Sequence, residues 1–503
     1  MSHAIGTVVS TEESPSTSEF AFVITNSKSN VKKGQYVQTK NENGIIFGMI
    51  KEIYRSNRYF ERAETISTYE NQGSIKMDFP TTNWDYSVAE VRVLGAKDES
   101  KFTRCYLPPS PGNEVEICES EILKNFLGFS ADGLYLGNLQ HHDTLANIDL
   151  TRLLQKHLAI LAMSGAGKSH LSSVLMEELL EIKEGEGRIA TIVIDMHGEY
   201  IGFKYDQKYG SNTEIVDVKD MRIPLSKIAP EMLEEWLPNL SPPQKELLRY
   251  AMQQCKREHE VNYGFSELIA AIDDSDISTD VVKKTLKRAL REIHRYRFIS
   301  KDEQNPSLIK QVVPGKLLIL DFSSVDSLRK KQILVSLLGR KLFNLRKKER
   351  IPPFLLLIEE AHNFAREKAE ASEAISRSII ETIAREGRKF GASLCLISQR
   401  PVNLSTTALS QCATHIILRV TNPNDLDHIQ MSSEGIDSTV AKSITGLKTG
   451  EAIVVGEAVN HPIFLSVRQR KSVKREKGAP LRDMAKRFEE TKVKKEKQVE
   501  AFL

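Results

Sequence analysis

Ala159-Ile160-Leu161-Ala162-Met163-Ser164-Gly165-Ala166-Gly167-Lys168-Ser169 passes from an apolar run into two glycines, a lysine and a serine, and a helical pattern from His170 to Leu180 follows it. A Gly-x-Gly-Lys-Ser stretch in this strand–loop–helix order reads as a phosphate-binding loop. Gly165 and Gly167 free backbone N–H groups to converge on phosphate oxygens. Lys168 adds positive charge at the β/γ position, and the Ser169 hydroxyl suits Mg²⁺. The helix aims its positive N-terminal end at the same anion, so Ser164 to His170 form the candidate triphosphate cradle. Ala162 stands where the usual pattern has its first glycine.

Working outward, the sequence on the carboxyl side alternates apolar strands with helical segments, which predicts a parallel sheet flanked by helices. The strands are expected at 157–161, 190–194, 316–320, 354–358, 393–397 and 415–418, and a hairpin at 452–455 and 463–467. Strand signals vanish between Leu225 and Phe298. There Ser241-Pro242-Pro243-Gln244 opens a helix with a capping-box glutamine, and Leu247, Leu248, Ala251 and Cys255 share one face. Val282, Leu286, Ala289, Leu290 and Ile293 repeat the spacing, so a helical insertion at about 225–300 is expected. On the amino side, short alternating runs such as 20–25, 36–39 and 45–53 between polar turns suggest a small β-barrel, with more strand signal from 89 to 117. The expected domains are a barrel over 1–130, an α/β domain over 131–470 and a basic arm over 471–503. That arm is either a solvated surface or a contact with a partner or with nucleic acid.

The chain has 503 residues and a net charge of only +3, so any affinity for nucleic acid must come from local basic surface. Its five cysteines are scattered without metal-ligand spacing, which favours buried free thiols in a reducing compartment. No apolar segment approaches bilayer length, and a cytoplasmic protein without a membrane partner is expected.

A second informative segment is Phe354-Leu355-Leu356-Leu357-Ile358-Glu359-Glu360-Ala361-His362, an apolar strand ending in adjacent carboxylates. Glu359 suits Mg²⁺ through its water shell, and Glu360 suits the water that attacks a γ-phosphate. Asp195 and Glu199, in Ile194-Asp195-Met196-His197-Gly198-Glu199-Tyr200, suit either that water and the Mg²⁺ shell or a cap on the next helix. Gln399, after the strand that ends at Ser398, suits a γ-phosphate sensor, and its neighbour Arg400 a salt bridge. Arg385 and Arg388 close a helix, where cations commonly serve the dipole; a guanidinium also suits transferring phosphoryl charge from across a subunit boundary.

Taken together, these segments resemble the HerA family of the HerA/FtsK branch of P-loop ATPases. The resemblance spans most of the chain and includes Ala384-Arg385-Glu386-Gly387-Arg388-Lys389, Ser398-Gln399-Arg400-Pro401 and Thr449-Gly450-Glu451-Ala452. It implies a RecA-like core behind a barrel of the type shared with rotary ATP synthases, Gly34 at a tight turn of that barrel, and a homohexamer that threads double-stranded DNA, with ATP and Mg²⁺ bound between neighbours. It implies channel loops at 363–371 and 402–411, where Arg366 and Lys368 suit phosphate contact or a solvated helix start. It also implies a partner docking on the barrel face: a NurA-like nuclease, or a sirtuin-like or nuclease effector in anti-phage defence. Two alternatives stay open: an ATP-stabilised ring scaffold that activates an effector, and a translocase for protein or single-stranded DNA.

Overall fold

Parallel and antiparallel strands sort by the chemistry of their residues in the computed structural model, which describes residues 4–11, 14–25, 31–42, 44–57, 85–98, 101–261, 263–301, 308–368, 374–433, 435–474, 482–486 and 488–489. These fall into two compact units. One comprises Met1–Leu171, Gln399–Val402 and Leu409–Gln469, the other Ser172–Ser398, Asn403–Ala408 and Arg470–Leu503.

The first unit begins with the expected barrel. Six strands close on themselves, from Glu19–Ile24 through Gly6–Val9, Glu114–Ile117, Tyr36–Asn41 and Gly44–Asn57 to Asp85–Asp98, which pairs back with Glu19–Ile24. Inward residues Val8, Phe20, Phe22, Val37, Ile46, Ile50, Val91 and Val115 fill the interior, as period-two alternation requires of a closed antiparallel sheet. Gly34 has φ +84° in the turn before Tyr36, a conformation that favours glycine.

The same unit holds a mixed sheet. The buried strand Leu158–Leu161 lies parallel to Thr414–Ile417, and Glu451–Gly456, Ile463–Val467, Leu134–Leu139 and Leu145–Ile148 follow antiparallel in that order. The last two form a hairpin absent from the sequence expectation. Leu134–Leu139 carries Gly137 and Asn138 in its second half, and it is paired on both sides, with Leu145–Ile148 and with Ile463–Val467.

The second unit is built on five parallel strands in the order Thr213–Asp217, Leu317–Asp321, Ala190–Asp195, Phe354–Ile358, Ala392–Ser398. Their near-continuous apolar runs are what burial on both faces demands. The strands expected after the barrel all form, with ends shifted by at most one residue, and Thr213–Asp217 joins the parallel set at the edge. The expected insertion is helical, with Pro230–Trp236, Pro242–His259, Phe265–Asp273 and Asp280–His294. Gln244 closes its half of the capping box, accepting the Ser241 N–H at 2.7 Å. Trp236 anchors the insertion: it is fully buried and meets Phe298 edge-on at 5.8 Å. Trp236→Ala is expected to cost about 3–5 kcal/mol, read as a lower urea midpoint by circular dichroism.

All five cysteines are free thiols; Cys105 is half-buried and the rest are buried. No helix among the described residues is long and apolar enough to cross a membrane. Most of the basic arm lies outside the described residues.

Candidate functional site

Loop geometry follows directly from the glycines. After Leu161 the chain is held by the Met163 N–H to the Arg419 carbonyl at 2.9 Å, while Leu418 donates to the Leu161 carbonyl at 2.9 Å. Gly165 then takes φ +77° and Gly167 φ +109°, values that only glycine adopts at little cost. The Leu171 N–H reaches the Gly167 carbonyl at 3.0 Å, and the helix Lys168–Glu181 begins. Ser164 and Gly165 face solvent, Ser169 is half-buried, and Ala166 and Lys168 are buried, Lys168 only 8% exposed. Ala162 is buried at an ordinary φ, so its methyl group costs no backbone strain. The His170 ring donates from Nε2 to the Arg468 carbonyl at 2.8 Å.

In the second unit, carboxylates gather at the carboxyl ends of the parallel strands. Glu359, 3% exposed, accepts the Met196 N–H on Oε2 at 3.0 Å. Asp195 is fully buried and accepts three backbone N–H groups, from His197 at 3.2 Å, Glu199 at 3.0 Å and Tyr200 at 3.0 Å. Its carboxylate therefore caps the turn that follows its strand. Asp321, which sequence reasoning missed, pairs in register with Asp195 and accepts the Ser323 N–H at 2.9 Å. The signal was there: like Asp195, it ends an apolar strand.

Burial lifts the Glu359 carboxyl well above its ordinary range, and the charges of Asp195 and Glu199 add to the shift. Asp195 is raised as well, by burial, against the pull of its three N–H donors. Such a cluster is short of positive charge, yet among the described residues no group of three or more His, Cys, Asp or Glu side chains is arranged to hold a metal ion by itself.

Glu360 differs from its neighbour. It is a non-glycine residue at φ +50° and ψ +45°, in the left-handed region, where a side chain costs roughly 1–3 kcal/mol. Its Oε2 lies 3.4 Å from His362 Nδ1, which in turn lies 3.2 Å from Ser398 Oγ. Strain held in place by side-chain partners is characteristic of reactive positions.

The expected channel loops are tied to each other. Arg366 and Leu404 form an antiparallel bridge, Glu367 donates to the Asn403 carbonyl at 2.8 Å, and Ser405 to the Ala365 carbonyl at 2.7 Å. Arg366 and Lys368 are exposed beside this clip; 369–371 lie outside the described residues. Glu381, on the helix Arg377–Glu386, accepts from Ser405 Oγ at 2.6 Å and from Arg377 Nε at 2.7 Å. Arg385, one turn on, and Arg388, in the 3-10 turn Gly387–Phe390, are exposed. Gln399 is half-buried and Arg400 exposed after the strand Ala392–Ser398.

Residues 134–342 match the family model described as helicase HerA, central domain, and residues 5–75 match the HAS barrel domain. The DNA double-strand break repair helicase HerA of Pyrococcus furiosus is 27% identical over 504 residues, covering 88% of each chain. Among solved structures, VirB4 of Thermoanaerobacter pseudethanolicus has a TM-score of 0.53 at 15% identity, covering 68% of this chain and 98% of that one. The plasmid coupling protein TrwB in complex with ADP and Mg²⁺ has a TM-score of 0.50 at 14% identity, covering 72% and 95%. At such identity these two bear on the fold alone, a P-loop ATPase core. In its barrel, in its central domain and along most of its length, this chain is similar to the HerA helicases.

Proposed function

We propose that this protein hydrolyses ATP with Mg²⁺ and uses the cycle to move double-stranded DNA, working as a ring of six copies. The observation that carries this reading is the presence in one chain of a glycine-formed phosphate loop ending in buried Lys168 and a strand ending in strained, histidine-held Glu360.

In this reading Ser164–His170 cradle the phosphates by their backbone N–H groups, and Lys168 offsets charge on the γ-phosphate. The Ser169 hydroxyl and, through water, Glu359 would hold Mg²⁺, which would supply charge neutralisation to the phosphates. Glu360 takes a proton on its carboxylate as the water oxygen bonds to the γ-phosphorus and the bond to the β–γ bridging oxygen breaks, leaving ADP and phosphate. Gln399 hydrogen-bonds the γ-phosphate and reports its loss. Arg385 or Arg388 of a neighbouring copy stabilises the transferring phosphoryl group.

Arg366 and Lys368 contact DNA phosphates, a sequence-independent and salt-sensitive attachment. Because the clipped loops bond to the helix that bears Arg385, a change at that arginine has a covalent and hydrogen-bonded route to the DNA contacts. The name of the Pyrococcus furiosus relative supports duplex DNA as the polymer and repair as the setting. The same reading divides the chain into a barrel to about residue 130, an ATPase domain over 131–470 and a basic arm. It places the protein in the cytoplasm and docks a NurA-like nuclease or an anti-phage effector on the barrel.

Hydrolysis measured with duplex DNA, with single strands and without polymer tests the proposal. Duplex should stimulate turnover most strongly; equal rates in all three conditions would remove DNA movement from the reading and favour an ATP-stabilised scaffold.

A further inference from the structure

A cavity of about 300 Å³ opens in the second unit, away from any motif that the proposed function uses. It lies among the edge strand Thr213–Asp217, the short strand Ile223–Pro224, the helix Pro230–Trp236 and the last turns of the helix Leu328–Lys347. Its volume stands at the lower end of small-molecule sites, about 300–1,000 Å³.

Two kinds of residue line it. Met221, Ile223, Met232 and Leu337 supply an apolar surface, and Arg222, Lys227, Arg340, Lys341, Lys348 and Arg350 supply six cations. None of the lining residues is acidic. Glu235, outside the lining, bonds Arg340 Nη2 at 2.6 Å, and Lys227 and Lys341 have partners of their own. Arg222 is oriented by its own backbone, donating from Nη1 to the carbonyls of Lys219 and Met221, each at 2.9 Å. Lys330 has its proton affinity lowered by burial and by the charges of Arg222 and Lys219, against the pull of Asp217.

Like charges drawn together at a concave apolar surface repel one another, and an anion relieves that cost. A single carboxylate is too little charge for such a rim, and a duplex is too wide for such a cavity. A ligand with several negative charges on one end and a flat, mostly apolar body on the other fits both features, and Asn344 in the lining offers an amide to the edge of a heterocycle. We propose that this cavity is a second nucleotide site, binding a nucleoside polyphosphate independently of the phosphate loop, with the phosphates on the cationic rim and the base on the apolar surface.

Equilibrium dialysis of ATP against the full chain tests it, with Lys168→Ala to disable the phosphate loop and Lys341→Glu with Lys348→Glu to reverse charge on the rim. The Lys168→Ala chain should retain a nucleotide site. Adding the two rim substitutions should weaken that site by at least about tenfold, the scale of one charge-assisted hydrogen bond. Thermal melting should be unchanged, since Lys348 is exposed and Lys341 half-exposed. Inorganic pyrophosphate should bind more weakly than ATP, because it leaves the apolar surface unused. Loss of all binding in Lys168→Ala, or binding indifferent to the rim charges, overturns the proposal. Pyrophosphate binding as tightly as ATP would make this a bare anion site, and a hexaglutamate peptide displacing ATP with equal affinity would make it a dock for an acidic protein segment; either result also overturns it. Failure of the phosphate-loop assignment reads differently: Lys168→Ala would then change nothing, while the rim substitutions would still act.

Discussion

Glu360→Gln is expected to lower ATP turnover by about 10²–10⁴-fold, the usual contribution of a positioned general base. Nucleotide binding should stay within a few-fold of the unmodified protein. The substitution keeps the shape of the side chain and its left-handed backbone, and removes only the charge that polarises water. Neighbouring Glu359 gives the contrast. Its carboxylate is bonded to the Met196 N–H and, in this reading, belongs to the Mg²⁺ shell and not to the attacking water. Glu359→Gln should therefore act through Mg²⁺ dependence, read by titrating the metal. Turnover by Glu360→Gln equal to that of the unmodified protein would transfer the role of base elsewhere.

An arginine acting in trans should be worth about 10³–10⁵ in rate, so one of Arg385→Ala and Arg388→Ala is expected to be nearly inactive. Both side chains are exposed on the helix end Arg377–Phe390, where the dipole alone would account for a cation worth roughly 0.3–1 kcal/mol. That difference in magnitude separates the two roles. Mixing the inactive arginine variant with Glu360→Gln sharpens the test. If the arginine serves the neighbouring copy, some mixed interfaces regain both an intact glutamate and an intact arginine, and activity returns. If it acts within its own chain, mixtures stay as inactive as their components.

Much of this was legible in the residue order. The phosphate loop needs glycine at the two positions of positive φ, and a buried parallel strand needs a continuous apolar run, so Gly165, Gly167 and Phe354–Ile358 announced themselves. The helices of the insertion did too, because Leu247, Leu248, Ala251 and Cys255 repeat at the helical period. The hairpin Leu134–Leu139 with Leu145–Ile148 did not. Its first strand is held on one side by its hairpin mate and on the other by a segment more than 300 residues away, and no local pattern encodes that distant partner.

Local chemistry thus sufficed for the elements whose signal lies within one turn or one strand: the loop, the alternating barrel, the parallel strands and the carboxylates at their ends. Tertiary structure alone decided which of those carboxylates carries which environment. Asp195 became a backbone cap, Glu359 a buried acid in a crowded field, and Glu360 a strained residue held by His362. It also brought six cations from two separate segments to one cavity. The physical reason is range: backbone propensity and period act over a few residues, whereas burial, charge and hydrogen bonding depend on which distant segments the chain brings together.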